Sequence, residues 1–298
     1  MTQSPTGMLL FMRWTLLLPL IVLQSGCTAA DEAADPQYGE PLPPMGNVLI
    51  EELFYAGSPP AAGSDHYNAD QFIELYNIAA EPVALGGLLI GDVYGLAGEI
   101  NPGSDPDSFA ASDPERVYFE NLWRIPGDPE DVVLYPGETL VIAQDGTNHQ
   151  PFSGIDSTGA DFEAYVESSG NDEDYPLVAN LESVHYTAGY DWLMTVFGPS
   201  VALLEPGSEA ELEDSSVGSW WELKSAPVAR VIDALDSLMD ADSGAYKRLP
   251  ESVDAGFVYV SDTYSGESVR RRLVDDVPTD TNNSSEDFEV GSPKPYGL

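Results

Sequence analysis

Cysteine is almost absent: the 298 residues hold one, Cys27. A chain with a single thiol has no internal disulfide and no thiolate metal centre, so packing alone must hold its core. Lysine is nearly as scarce, with Lys224, Lys247 and Lys294 the only three. Eleven basic residues face fifty-one acids, a formal net charge of −40. A field of that sign repels phosphates and anionic head groups, which excludes nucleic acid as a partner. It suits either a protein folded in high salt or an acidic extracellular one. Histidine is limited to His66, His149 and His185, and neither a Gly-x-Ser-x-Gly elbow nor a His-Glu-x-x-His helix occurs. Loop positions are therefore expected for the three histidines, with no catalytic residue assigned.

Long apolar runs are lacking too. The longest, Trp14–Leu23, is too short to span a bilayer as a helix but suits the core of a signal peptide. It follows Arg13 and ends in Leu23-Gln-Ser-Gly-Cys27, which resembles a bacterial lipobox, in which the cysteine takes a diacylglycerol. Residues 1–26 are expected to be a signal peptide, with Cys27 the lipidation site. Residues 27–45 are rich in Ala, Asp, Glu and Pro without apolar periodicity, and read as a lipidated acidic flexible tether.

What the chain has is strand material. Apolar residues make up 43% and aromatics 10%, and 27 glycines and 24 prolines break them into short pieces. Val48–Phe54, Asp70–Asn77, Leu85–Asp92, Arg116–Trp123 and Glu138–Ala143 read as strands, the last entered through a Pro136-Gly137 turn. Val201–Leu204, Ala229–Ala234, Gly256–Val260 and Ser268–Leu273 continue the series, although Val228–Met239 also fits helical spacing. Gln144–Asp174 shows no period. The expectation is an all-β fold, a β-sandwich over 46–298 with long loop insertions, chiefly around 144–218, and room for one short helix.

Seven stretches carry a resemblance. Leu49-Ile-Glu-Glu-Leu-Phe-Tyr55, Asp70-Gln-Phe-Ile-Glu-Leu-Tyr-Asn77 and Val83-Ala-Leu-Gly-Gly-Leu88 resemble the start of a lamin-tail domain, and Tyr135–Ala143 its later Pro-Gly turn and strand. Ser265–Arg271, Asp280–Glu289 and Pro293-Lys-Pro295 resemble the closing motif of bacterial members. More narrowly, the chain is similar to a family of bacterial envelope lipoproteins with a lamin-tail-like fold and no assigned function. The resemblance implies an immunoglobulin-like sandwich of lamin-tail type and a binding or scaffolding role, without an activity.

Several clusters are candidates for chemistry. Asp280, Asn282, Ser284, Glu286 and Asp287 space oxygen ligands alternately, as a calcium loop would. Asn171–Asp174 and the pair Asp65 and Asp70 are further hard-ligand groups. Glu51 and Glu74, on neighbouring strands, could mimic the acid pair of a glycosidase. Trp220, Trp221, Tyr186, Tyr190 and Trp192 could stack on a carbohydrate or another flat ligand. In Arg270–Arg272 the middle arginine faces away from its neighbours, so ion pairs with surrounding acids are expected rather than one basic patch. The function expected is that of a non-enzymatic envelope lipoprotein, surface-exposed at the outer membrane, with an outer-membrane protein or an extracellular ligand as partner. An acid-pair hydrolase of extracellular polysaccharide and a calcium-stabilised structural module are the alternatives; no cofactor is expected unless it is calcium.

Overall fold

The pattern Val-Leu-Ile-Glu-Glu-Leu-Phe would place alternate residues on opposite faces of a strand. In the computed structural model it forms β1 (Val48–Phe54), which is buried along its whole length. Ile50 stands opposite Leu75 and Glu52 opposite Glu74, leaving Glu51 with no residue across from it. That extra residue is a β-bulge. It lets Val48 and Ile50 face the same core as Leu53 and Tyr55 while Glu51 and Glu52 both turn to the other side.

The structure describes residues 47–61, 66–95, 109–169, 172–187, 191–192, 194–217 and 221–297. The signal peptide, Cys27 and the tether lie outside them, as do Asp65, Tyr190 and Trp220.

The first large sheet places β1 between β2 (Phe72–Asn77) and β15 (Ser268–Arg271). Beyond β15 lies β18 (Phe288–Gly291), and beyond β2 lie β7 (Thr139–Ala143), β8 (Phe162–Glu163) and β9 (Ala179–Asn180). Pairing is antiparallel except for β7 with β8 and β8 with β9. The Pro136-Gly137 turn feeds β7: Glu138 N–H bonds Tyr135 O at 3.0 Å, and Gly137 takes φ +76°, where a side chain would be strained.

The second sheet runs β12 (Glu213–Val217), β13 (Trp221–Pro227), β5 (Arg116–Arg124), β4 (Leu89–Val93), β11 (Ser200–Leu204) and β14 (Val231–Asp236), with β10 (Glu182–His185) also pairing β5. Two small ladders, β3 (Val83–Ala84) with β6 (Val133–Leu134) and β16 (Leu273–Val274) with β17 (Val277–Pro278), complete the strands. Among the described residues the α-helices are two four-residue turns, α1 (Phe109–Ser112) and α2 (Ser284–Asp287). The fold is therefore all-β, a sandwich with long loops.

The main core lies between the sheets, where Ile50, Leu53, Ile73 and Leu75 meet Ile90, Trp123, Val201 and Leu203. Each such aliphatic side chain, fully buried, contributes about 1.5–3 kcal/mol. A second cluster around Leu89, Phe119, Leu122 and Leu204 covers the outer face of the second sheet. A third, with Phe54, Phe72 and Val141, covers that of the first.

Two stretches differ from a simple strand reading. Val228–Met239 is a 3-10 turn followed by β14, whose pairing with β11 overrides the helical spacing. Gly256–Val260 makes only a bridge from Val258 to Ser237, because the Val260 N–H goes to the Tyr55 hydroxyl at 3.2 Å. Residues 144–218 supply strands β8 to β12, and β11 lies inside the second sheet between β4 and β14.

Candidate functional site

Among the described residues, carboxylates gather in threes in two places. On the outer face of the first sheet, Glu51, Glu52 and Glu74 each bring an oxygen within 4.8 Å of the others, and all three are 0% exposed. The bulge on β1 and the Glu52–Glu74 register create the cluster, and β15 answers it with Ser268 and Arg270. Ser268 Oγ donates to Glu52, and Arg270 lies 3.6 Å from Glu52 and 3.9 Å from Glu51. The chain following β18 closes over the cluster. Lys294 N–H bonds Glu52 at 3.1 Å and Tyr296 N–H bonds Glu74 at 3.1 Å.

Donors run out at Glu51, neither of whose oxygens has a hydrogen-bond partner. Burial, reinforced by Glu74 and Glu52, pushes it up to about 8 against the opposing pull of Arg270 and Arg271. Burial also raises Glu74, to about 7, and Glu52. The spacing of Glu51 and Glu74 approaches that of a retaining glycosidase pair. Yet the pair is sealed from solvent, leaving no way for a sugar ring to come between the two carboxyls.

The second gathering is on loops. Asp145 follows β7, Asp172 lies between β8 and β9, and Asp191 precedes Trp192; one oxygen of each lies within 4.8 Å of the others, and all three are half-buried. Asp172 accepts from Val166 N–H at 2.7 Å and Asp191 from Gln144 Nε2 at 2.5 Å. Glu163 ties the loops together through Gly146 N–H at 2.7 Å and Tyr175 N–H at 2.8 Å. Burial and then the neighbouring acids Asp191, Asp172, Glu163 and Glu173 push Asp145 up to about 8. Burial raises Asp191 to about 7, opposed by the Gln144 bond.

Next to these loops opens a cleft of about 820 Å³. Tyr165, Glu167, Asp174, Asn180, His185 and Tyr186 are among the residues that line it. Tyr186 stands on Trp123 with centroids 6.2 Å apart, and its hydroxyl bonds Asp191 O at 3.4 Å. Val166, held by Asp172, also lines the cleft.

The other sequence candidates take the following places. Asp280 and Asp287 converge on a cation the chain supplies itself, lying 3.6 and 3.8 Å from Arg271 Nη1. Asp287 also accepts from Thr281 N–H at 2.9 Å and Asn283 N–H at 3.1 Å, and Ser284 Oγ donates to Asp254. Asn282 and Glu286 point to solvent. Arg271 turns inward, as strand alternation requires, and grips Asp233 at 2.6 Å, while Arg270 serves the opposite face. Trp192 is a core residue, 3% exposed, stacked at 5.7 Å on Trp123 with Nε1 donating to Asp92 at 2.9 Å. Trp221 packs against Tyr94 at 5.9 Å, so of the described aromatics in that set only Tyr186 lines the cleft. His149 is 1% exposed between the Tyr67 hydroxyl and Asp145 O, and His185 Nε2 meets Glu222 O.

Sequence reading missed the meeting of Asp145, Asp172 and Asp191. The acidic run Asn171–Asp174 was its one visible trace.

Comparison with known proteins adds a family without an activity. A family model described as "Protein of unknown function (DUF4876)" matches residues 135–294, a span that holds both the loop aspartates and the cleft. The crystal structure of a DUF4876 family protein from Bacteroides thetaiotaomicron VPI-5482, at 2.50 Å resolution, is similar to this chain with a TM-score of 0.71. The two are 26% identical, over 84% of this chain and 72% of that one. No curated protein matches.

Proposed function

Since the chain belongs to the DUF4876 family, whose function is unknown, we propose its role from its own residues: an exported, non-enzymatic binding module that takes an extracellular glycan in the cleft beside Tyr165 and Tyr186. The cleft carries the reading. Two tyrosine rings offer apolar faces to a pyranose, and Glu167, Asp174 and Asn180 offer acceptors to its hydroxyls. The sealed Glu51–Glu74 pair supports binding without turnover.

The Cys27 lipobox resemblance supports an anchor in the outer membrane, with the 27–45 tether lifting a lamin-tail-like sandwich from its surface. Fractionation tests the anchor: a Cys27→Ser protein should move from the membrane pellet to the soluble fraction, and one that stays in the pellet has its anchor elsewhere. A glycan panel scored for retention and for new reducing ends tests the rest. Loss of a stacking ring is worth about 0.5–1.5 kcal/mol, so Tyr186→Ala should weaken the best ligand about two- to tenfold. Reducing ends released by the wild type would make the protein a hydrolase.

A further inference from the structure

We propose that Asp145, Asp172 and Asp191, together with the side-chain carbonyl of Gln144, form a calcium site that fastens three loops beside the cleft. The site is independent of what the cleft binds. All its donors are hard oxygens, the set calcium takes and zinc or copper does not prefer. Calcium–oxygen bonds of about 2.4 Å put ligands on opposite sides of the ion about 4.8 Å apart. Three carboxylate oxygens within 4.8 Å of one another fall inside that span.

Acids alone would not make a site, for exposed acidic groups are common. Gln144 makes the difference. It is 4% exposed and reaches the cluster by donating Nε2 to Asp191, yet its Oε1 accepts nothing. Asp191 Oδ1 is likewise a buried oxygen without a donor. Two buried acceptors on one contact, each lacking a positive partner, are costly unless something supplies it. Among the described residues the leading charges on Asp191 are Asp172 and Glu163, and those on Asp145 are Asp191, Asp172, Glu163 and Glu173, all acids.

The ligands are also held from behind, which a site requires if it is to be ready before the ion arrives. Gln144 N–H bonds Gln71 O at 2.9 Å, at the end of β7. Asp191 adjoins Trp192, which is locked on Trp123 and Asp92. Asp172 is oriented by Val166 N–H. Half-burial leaves a side open to water, which completes the six to eight oxygens calcium takes.

The full chain, stripped with EDTA, tests this by thermal melting and calorimetric titration with calcium chloride alone. About 1 mM calcium chloride should raise Tm by several degrees where about 3 mM sodium chloride, the same ionic strength, does nothing. Asp145→Asn with Asp191→Asn should weaken calcium at least tenfold. Without metal this variant should melt no lower than the wild type, because like charges have been removed; a purely structural role would lower it. Glu51→Gln, in the sealed cluster, should leave the calcium response intact. Equal shifts with calcium and sodium, or a full calcium response from the double variant, would overturn the site. Equal potency of magnesium, which demands stricter octahedral geometry, would overturn the choice of calcium.

Discussion

The two acidic clusters carry the same charge and meet it in opposite ways. Glu51, Glu52 and Glu74 stand on paired strands, where β15 and the segment after β18 bring Arg270, Ser268 and two backbone amides to them. Burial raises Glu51 and Glu74 as it raises Asp145 and Asp191, so the clusters differ in the donors brought to them and not in their protons. Asp145, Asp172 and Asp191 stand on loops, half open to water, with acids for neighbours. A carboxylate whose counter-groups come from the strand ladder serves the fold. One whose counter-groups are missing, on a rigid support and within reach of solvent, is left for a ligand.

The hardest blow to that contrast is Arg270→Met. It removes the nearest cation of the sealed cluster, and stripping a partner from buried charges costs about 3–5 kcal/mol. Urea unfolding should show a loss of that order, while the calcium response stays. A loss below about 1 kcal/mol would mean that protons already neutralise the whole cluster.

Acidity comes next, and it acts on both clusters, since burial raises Asp145 to about 8 and Asp191 to about 7 as well. Glu51 and Glu74 keep protons in the fold that they release on unfolding at about 4.5, the ordinary value, so the stability they contribute is full below pH 4.5. It is lost as pH climbs through about 7 and 8. Glu52, Arg270 and Lys294 face the same pocket, Arg271 acts on Glu51 from the other face of the sheet, and these basic groups limit the shift. In EDTA the free energy of unfolding should decline toward pH 8 by at most about 1.4 kcal/mol per pH unit for each group. Glu51→Gln should flatten the slope, and an unchanged slope would place the titration elsewhere.

A chain ending at Pro293 loses the amides of Lys294 and Tyr296 from Glu52 and Glu74. Between neutral and charge-assisted values such bonds are worth about 1–2 kcal/mol each, so a loss of about 2–4 kcal/mol is expected from denaturant midpoints. Calcium affinity should not change.

Salt gives the smallest effect. At a Debye length of about 10 Å in 0.1 M salt, screening relieves the exposed surface and the half-open aspartates and hardly touches the sealed glutamates. Metal-free Tm should rise by a few degrees between low and molar sodium chloride. Asp145→Asn should blunt that rise, and Glu51→Gln should not.

Strands were the legible part of the chain. Val48–Phe54, Asp70–Asn77 and Glu138–Ala143 are short apolar-rich stretches bounded by turns, and each holds a ladder strand. The bulge at Glu51 was hidden, since nothing in Leu-Ile-Glu-Glu-Leu tells an extra residue from plain alternation. The Asp280–Asp287 segment had the spacing of a cation loop, but spacing is blind to Arg271, which the β15 pairing aims into it. Asp145, Asp172 and Asp191 share no local pattern because they meet only after three loops have been placed by the sheets. Trp192 and Trp221 looked like a ligand platform because composition cannot tell a core indole from an exposed one.

The bulged strand β1 has a consequence for how the chain is made. Its β2 neighbour follows at once, but the partners on its other side arrive late: Arg271 bonds Ile50 O across 221 residues, and Lys294 bonds Glu52 across 242. During synthesis from the N-terminus, the β15 edge of Val48–Phe54 must wait until almost everything downstream has emerged, and such distant pairing is slow. An apolar strand waiting in water is a hazard for aggregation. This one carries Glu51 and Glu52, both ionised at neutral pH while the chain is unfolded, and those charges act as gatekeepers against pairing with other nascent chains. Glu51 becomes neutral once the sandwich closes over it. The same carboxyl thus keeps the unfinished chain soluble and then gives up its charge to the finished one.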